Sequence, residues 1–203
     1  MENKQTFFGR VQVLDPLNIN RIKLAYTMAK FYHRGQTRKG GERYFEHCRR
    51  SALVLMDELK IYDPDLICSI LLHDTAEDSE LDIMMIDQFF GTSVAMIVRR
   101  VTKPTPWVAE TKQSYYDRFI HGQDTDAMIV KACDRLDNLR DMRNCSIDFI
   151  RNQVAETHQY YVPMLHELIV ACPQEHLTAA LYLDKTIRER LDYLQSRLDC
   201  EVA

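Results

Sequence analysis

Apolar residues along this chain recur every three or four positions far more often than every second one, a spacing that predicts helices from end to end. Ile22, Ala25, Met28, Ala29 and Tyr32 share one helical face and predict a first helix over about Asn20 to His33. A polar, glycine-bearing loop, Arg34 to Arg43, interrupts the pattern. The next helix begins near Glu46 and carries Ala52, Leu55, Met56 and Leu59. Asp63-Pro64 is a start signal, because aspartate caps free backbone N–H groups and proline fits the first helical position. That helix runs through Leu66, Ile67, Ile70 and Leu71 into His73-Asp74. Another covers about Asp82 to Phe90 and stops at Gly91. Thr92 or Ser93 is placed to cap the one after it, which ends before Pro104-Thr105-Pro106. Helix is expected again over about Val108 to Ile120. Asp124 or Thr125 then caps a helix through Met128, Ile129, Ala132, Leu136 and Leu139. Two longer helices, divided near Cys172-Pro173, finish at about Leu198.

The expected fold is therefore all-α, a single helical bundle of about eight to ten helices. Composition agrees: glycine and proline number 6 each, too few for a turn-rich β-protein, and 203 residues suffice for one sizeable core. No repeat, charge block or low-complexity segment divides the chain, so one domain over residues 1–203 is expected, with the C-terminal helices 146–198 packed on the rest. No apolar run approaches the roughly 20 residues of a membrane span, and the first residues lack a signal-peptide apolar region. The net charge of −4, with no long basic tract, argues against a nucleic-acid partner. The 6 cysteines include no Cys-x-x-Cys pair and suit a reducing cytoplasm. Monomer and homodimer both stay open.

Candidate chemistry centres on Leu71-Leu72-His73-Asp74-Thr75-Ala76-Glu77-Asp78. If helix continues through it, His73 stacks on Glu77 and Asp74 on Asp78 at i,i+4. Charges beside a core are costly unless paired or metal-bound, so this crowding predicts a site. Tyr44-Phe45-Glu46-His47 adds an imidazole at a helix start. Lys131-Ala132-Cys133-Asp134-Arg135-Leu136-Asp137-Asn138-Leu139-Arg140 sets Asp134 between apolar neighbours. Two imidazoles and two carboxylates make a mixed N/O set that suits Mn²⁺ or Fe²⁺ ahead of Zn²⁺ or Mg²⁺. An ion with open positions lowers the pKa of a bound water. Glu77 and Asp78, one turn away, could orient that water or shuttle its protons. Arg34, Arg38, Lys39, Arg43, Arg49 and Arg50 cluster around His47, as a solvated loop or as an electropositive funnel for a polyphosphorylated substrate. For Arg34, Arg49 and Arg50 the solvated loop is the simpler reading.

These motifs resemble the HD superfamily of metal phosphohydrolases, and within it the hydrolase domain of the Rel/SpoT family, which degrades the alarmones ppGpp and pppGpp. Arg38-Lys39-x-Gly41-Glu42-x-Tyr44-x-x-His47 is similar to the family segment Arg-Lys-Ser-Gly-Glu-Pro-Tyr-x-x-His. Leu71-Leu72-His73-Asp74-x-x-Glu77-Asp78 follows in order, then Val101-Thr102-Lys103, Asp134-Arg135-Leu136-x-Asn138-x-Arg140, Glu156-Thr157 and Tyr161-x-Pro163. The likeness spans about Ala25 to His166. It implies that His47, His73, Asp74 and Asp134 hold Mn²⁺ and that Glu77 and Asp78 activate the attacking water. It further implies that Arg38 and Lys39 pack on or beside a purine, that Asn138 contacts the ribose, and that Tyr161 is an aromatic near the site. The implied reaction removes the 3′-pyrophosphate. The chain is too short to add the family's synthetase and regulatory domains, so a stand-alone small alarmone hydrolase is expected. Cys48 stands where the family has proline, Arg43 replaces the proline before Tyr44, and Gly40 replaces a serine, which leaves room for a shift toward adenine alarmones. The alternatives are a phosphohydrolase acting on ppApp, on the 2′-phosphate of NADPH or on simple nucleotides, and a module that binds alarmones without hydrolysing them. His33 is expected to be structural, and the Met84-Met85-Ile86 and Phe89-Phe90 clusters to be core or helix contacts.

Overall fold

The computed structural model describes residues 4–103 and 110–200. Among them the regular structure is helical: α1 (Lys4–Arg10), α2 (Pro16–Tyr32), α3 (Tyr44–Leu53), α4 (Pro64–Leu72), α5 (Thr75–Asp78), α6 (Ile83–Phe90), α7 (Thr92–Val101), α8 (Lys112–Gly122), α9 (Thr125–Arg140), α10 (Ile147–Glu156), α11 (Val162–Ala171) and α12 (Leu177–Cys200). A π-helical turn, Thr157–Tyr161, joins α10 to α11 as one rod, and another, Val54–Glu58, extends α3. The β-pairing among the described residues is a single bridge, Thr37 to Arg43. The all-α expectation is met.

Two helices form the centre because they are buried almost all round. In α4 every residue from Leu66 to Leu72 is buried, and in α9 every residue from Ala127 to Asp137. α9 packs against α3, α4, α7, α11 and α12, and α2 covers α4. Each fully buried Leu or Ile contributes roughly 1.5–3 kcal/mol, and that apolar burial offsets the cost of the charged groups α9 carries inward. Asp63 caps α4 by accepting from the Asp65 and Leu66 amides at 2.8 and 2.9 Å. Asp124 caps α9 through the Ala127 amide.

Several boundaries differ from expectation. α2 starts at Pro16, four residues early, because Asp15-Pro16 is the same start signal as Asp63-Pro64: Asp15 accepts from the Leu17 and Asn18 amides. α1 is too short to show a period in sequence, yet Phe7 and Phe8 bury their rings against Tyr26. Neither Thr92 nor Ser93 caps α7; Gly91 holds the cap position with a φ of 88°. The expected helix from Val108 begins at Lys112 behind the Thr111 cap, while Val108 itself and Pro104-Thr105-Pro106 lie outside the described residues. Met84 and Phe89 are 68% and 51% exposed rather than core, whereas Ile86 and Phe90 are buried.

The most consequential difference falls at the main motif. α4 stops at Leu72, His73-Asp74 form a turn, and α5 is one short turn, so Leu71 to Asp78 is not one continuous helix. Thr75 Oγ1 donates to the Leu72 carbonyl at 2.6 Å and occupies an acceptor that a continuing helix would use. The Arg34–Arg43 segment is also more ordered than a plain loop. Arg38 N–H donates to Glu42 O at 2.8 Å, Gly41 N–H to Arg38 O at 2.9 Å, and Gly41 takes a φ of 84°, a left-handed conformation that favours glycine. That tight turn aims Arg38 and Lys39. Among the described residues no helix is long and apolar enough to cross a membrane.

Candidate active site

Four side chains from three regions converge. His47 comes from the first turns of α3, His73 and Asp74 from the turn after α4, and Asp134 from the middle of α9. His47 Nε2 lies 3.2 Å from Asp134 Oδ1 and 3.6 Å from Asp74 Oδ2. His73 Nε2 lies 3.0 Å from Asp74 Oδ2 and 3.7 Å from Asp134 Oδ1. His47, His73 and Asp134 offer ligand atoms all within 4.8 Å of one another, and Asp74 faces the same point.

The outer nitrogens explain why the inner ones face inward. His47 Nδ1 pairs with Asp137 Oδ2 at 2.6 Å, and His73 Nδ1 donates to the Ile70 carbonyl at 2.8 Å. Each imidazole thus spends its N–H outside and turns a lone pair toward the shared point, the arrangement of a metal-ligating histidine. His73 Nε2 is buried without a hydrogen-bond partner. An orphaned imidazole nitrogen beside two carboxylates fits a divalent cation well. Burial alone would push the His73 imidazole down, but the Asp74 and Asp134 carboxylates outweigh it and lift its pKa to about 10, so in a cation-free protein a proton does part of the cation's work.

A second ring of polar groups holds the first. Arg50 donates to Asp137 Oδ1 at 2.7 Å and Oδ2 at 3.1 Å, fixing the carboxylate that orients His47. Lys131 Nζ holds Asp134 Oδ2 at 2.9 Å, leaving Oδ1 for the centre. Burial opposes charge on both, yet their attraction keeps Lys131 protonated and Asp134 well below the usual carboxylate range. Tyr44 Oη lies 2.8 Å from Asp74 Oδ2 and 2.9 Å from Asp78 Oδ2. His33 stacks on the Tyr44 ring at 4.8 Å and pairs with Gln36, a structural role.

The cluster opens onto a cavity of about 310 Å³ whose walls include Arg38, Lys39, Lys103 and Asn138. Asn138 donates to Asp134 Oδ1 and accepts from Arg38 Nη2, so it ties Arg38 on the cavity wall to the central cluster. Lys39 Nζ sits 3.6 Å over the Phe149 ring. Glu77 and Asp78 do not stack on His73 and Asp74 as helix neighbours: Glu77 pairs with Lys103 Nζ at 2.8 Å, and Asp78 reaches the centre through Tyr44. Tyr161 does not line the cavity but lies under Arg135. Arg34 packs on Phe31 and Arg49 pairs with Glu46, whereas Arg50 is an internal clamp rather than a solvated loop residue. Sequence reasoning assigned nothing to Asp137, Tyr44, Lys131 or Lys103. The one available signal was spacing, since Lys131, Asp134 and Asn138 recur on one face of α9.

Buried HD-type ligands on a helical bundle define a class, and the HD-domain family model matches residues 25–170. The chain belongs to the HD-domain family. It is 33% identical over 156 residues to the bifunctional (p)ppGpp synthase/hydrolase SpoT of Escherichia coli strain K12, covering 74% of this chain and 22% of that protein. It is 31% identical over 164 residues to a GTP pyrophosphokinase of Streptomyces coelicolor, covering 79% of this chain and 19% of the relative. The chain thus spans about a fifth of the length of these curated relatives. A solved structure of a metazoan ortholog of SpoT that hydrolyzes ppGpp superposes with a TM-score of 0.66 at 25% identity, covering 84% of this chain and 95% of that one.

Removing the carboxylate charge behind His47 should loosen the site without dismantling it. Asp137→Asn is expected to weaken divalent-cation binding by about 10–100-fold, read by isothermal titration; unchanged affinity would leave Asp137 without an orienting role. The raised His73 pKa also sets a pH dependence. The imidazolium–carboxylate attraction in cation-free protein is fully present below the unfolded value of 6.5 and is lost as pH rises through about 10. Thermal midpoints of chelator-treated protein should fall across that window, and cation-loaded protein should lack the slope because it binds the neutral imidazole.

Proposed function

We propose that this chain is a divalent-cation-dependent 3′-pyrophosphohydrolase of guanosine alarmones, converting ppGpp or pppGpp to GDP or GTP and pyrophosphate, with Mn²⁺ as the cation. The observation that carries the reading is the two-histidine, two-aspartate cluster opening into one cavity walled by Arg38, Lys39, Lys103 and Asn138. Such a cavity suits a ligand with several phosphates and a flat base. The activities of the similar SpoT proteins support the same substrate.

His47, His73, Asp74 and Asp134 would hold the cation. A bound divalent cation supplies Lewis acidity, lowering the pKa of water and drawing charge from a phosphate oxygen. Water adds to the phosphorus on O3′, the P–O3′ bond breaks, O3′ takes a proton and pyrophosphate leaves. The chain's own groups manage the protons. One phenolic proton on Tyr44 faces two carboxylates, Asp74 and Asp78, so it satisfies one at a time. Burial, reinforced by Asp74 and Glu77, raises the Asp78 pKa, which suits it to accept a proton and return one through Tyr44. Glu77 holds Lys103 at the cavity wall, where its ammonium meets phosphate charge. Arg38 is braced by Asn138 and, at 3.2 Å, by Asp141, leaving its guanidinium plane for a purine, while Asn138 lies in reach of the ribose. Three of the six free cysteines are buried thiols, in keeping with a cytoplasmic protein.

Product analysis of Mn²⁺-loaded protein with ppGpp, ppApp and NADPH tests the reading. Pyrophosphate and GDP from ppGpp are expected. Orthophosphate from NADPH as the dominant product would assign the site to a phosphatase, and tight ppGpp binding without product would make it a sensor. Asp78→Asn and Glu77→Gln should each keep Mn²⁺ affinity while lowering kcat by about 10²-fold or more; full turnover in either variant removes that carboxylate from the mechanism.

A further inference from the structure

One buried cation has no part in the chemistry above. Arg135, on α9, is 3% exposed. Its Cζ stands 4.1 Å over the Tyr161 ring, and Nη2 lies 3.3 Å from Glu156 Oε1. These contacts immobilise the guanidinium. Among the described residues its one side-chain hydrogen bond runs from Nη1 to Gln153 Oε1. Gln153 is half-buried on α10 and lines the same cavity as the HD cluster, one helical turn beyond Phe149.

A guanidinium only donates. Gln153 must therefore turn its carbonyl to Arg135, and its Nε2, with two N–H donors, is left for the cavity. The usual ambiguity about which way a glutamine amide faces is removed by this partner. Phe149 and Gln153 share a face of α10, and Lys39 Nζ sits on the Phe149 ring. The cavity lining thus includes an ammonium held on the Phe149 ring and, one helical turn along α10, the Gln153 amide N–H pair. Both groups donate and neither accepts. A purine edge mixes donors with acceptors, whereas a phosphate at neutral pH offers acceptors, so the all-donor wall matches phosphate.

We infer that Gln153 is a further substrate-binding residue whose Nε2 donates to a phosphate oxygen of the nucleotide, and that Arg135 is the positioning residue that keeps the donor side outward. The inference rests on the reading that this cavity takes a polyphosphorylated nucleotide. It separates two roles that a simple deletion would confuse. If Gln153 only satisfied Arg135, glutamate would serve as well or better, because a carboxylate pairs more strongly with a guanidinium. If Gln153 donates to phosphate, glutamate replaces a donor with a negative acceptor and repels the ligand.

The test is steady-state kinetics of the full Mn²⁺-loaded chain on ppGpp, with melting curves and Mn²⁺ affinity measured alongside, for wild type, Gln153→Leu and Gln153→Glu. Loss of a hydrogen bond to a charged group predicts a KM about tenfold higher for Gln153→Leu. Gln153→Glu should raise KM further, to about a hundredfold, with kcat within about twofold and with thermal midpoint and Mn²⁺ affinity unchanged. An unaltered KM in Gln153→Glu overturns the inference while leaving ppGpp hydrolysis intact. A wild type that does not turn over ppGpp overturns the functional reading itself, and the inference with it. Repeating the series with pGpp narrows the contact: a smaller KM effect assigns the oxygen to the 5′ β-phosphate, an equal one to the 3′-pyrophosphate or the 5′ α-phosphate.

Discussion

Everything at the site depends on holding two carboxylates and two imidazoles around one point in an interior largely closed to water. Asp74 and Asp134 repel each other there, and His47 and His73 must turn lone pairs inward instead of spending them on nearby acceptors. Neither condition is met by the four residues alone. Burial raises the cost of each charge, so compensation has to be local and geometric. A divalent cation fits that arrangement, and in its absence a proton on His73 relieves the same repulsion.

The compensation comes from groups that never face the centre. Arg50 clamps Asp137, Asp137 fixes the His47 ring, and Lys131 takes one oxygen of Asp134. Because α9 carries Lys131, Asp134, Asp137 and Asn138 on a helix whose neighbours grip it on every side, these partners cannot drift independently. The rigid, apolar α4 does the same for His73 and Asp74, delivering them at its end, where the helical path breaks and the side chains gain freedom to converge. The break matters: a helix continuing to Asp78 would have lined Glu77 up behind His73, whereas the turn sends Glu77 to Lys103 and links Asp78 to Asp74 through one phenol.

The cavity wall follows the same economy. Arg38, Asn138 and Asp134 form a connected series, so the Arg38 side of the cavity is mechanically tied to the central cluster. Elsewhere in the cavity lining, Gln153 accepts a hydrogen bond from Arg135, which packs on Tyr161. A family aromatic that sequence likeness placed near the chemistry thus acts two layers back, through an arginine.

The all-helical character, most helix positions and the four residues of the central cluster are legible in the sequence, because each rests on local information: a 3.6-residue apolar period, Asp-Pro start signals, and ligand-type side chains set against apolar neighbours. Those signals are short-range, and so were the errors. α1 is too brief to show a period, and α2 begins at Pro16 rather than near Asn20 because Asp15-Pro16 repeats the start signal of Asp63-Pro64. What only the tertiary structure decided was partnership. Asp137 with His47 and Arg50, Tyr44 between two carboxylates, and Gln153 against Arg135 all pair residues from different helices or turns, and Lys131 is turned inward to Asp134 rather than to solvent only because packing buries that face of α9. A one-dimensional pattern can say that a charged side chain sits on a helix face, but the groups that meet it, and hence its charge state and orientation, are set by packing between elements distant in the chain.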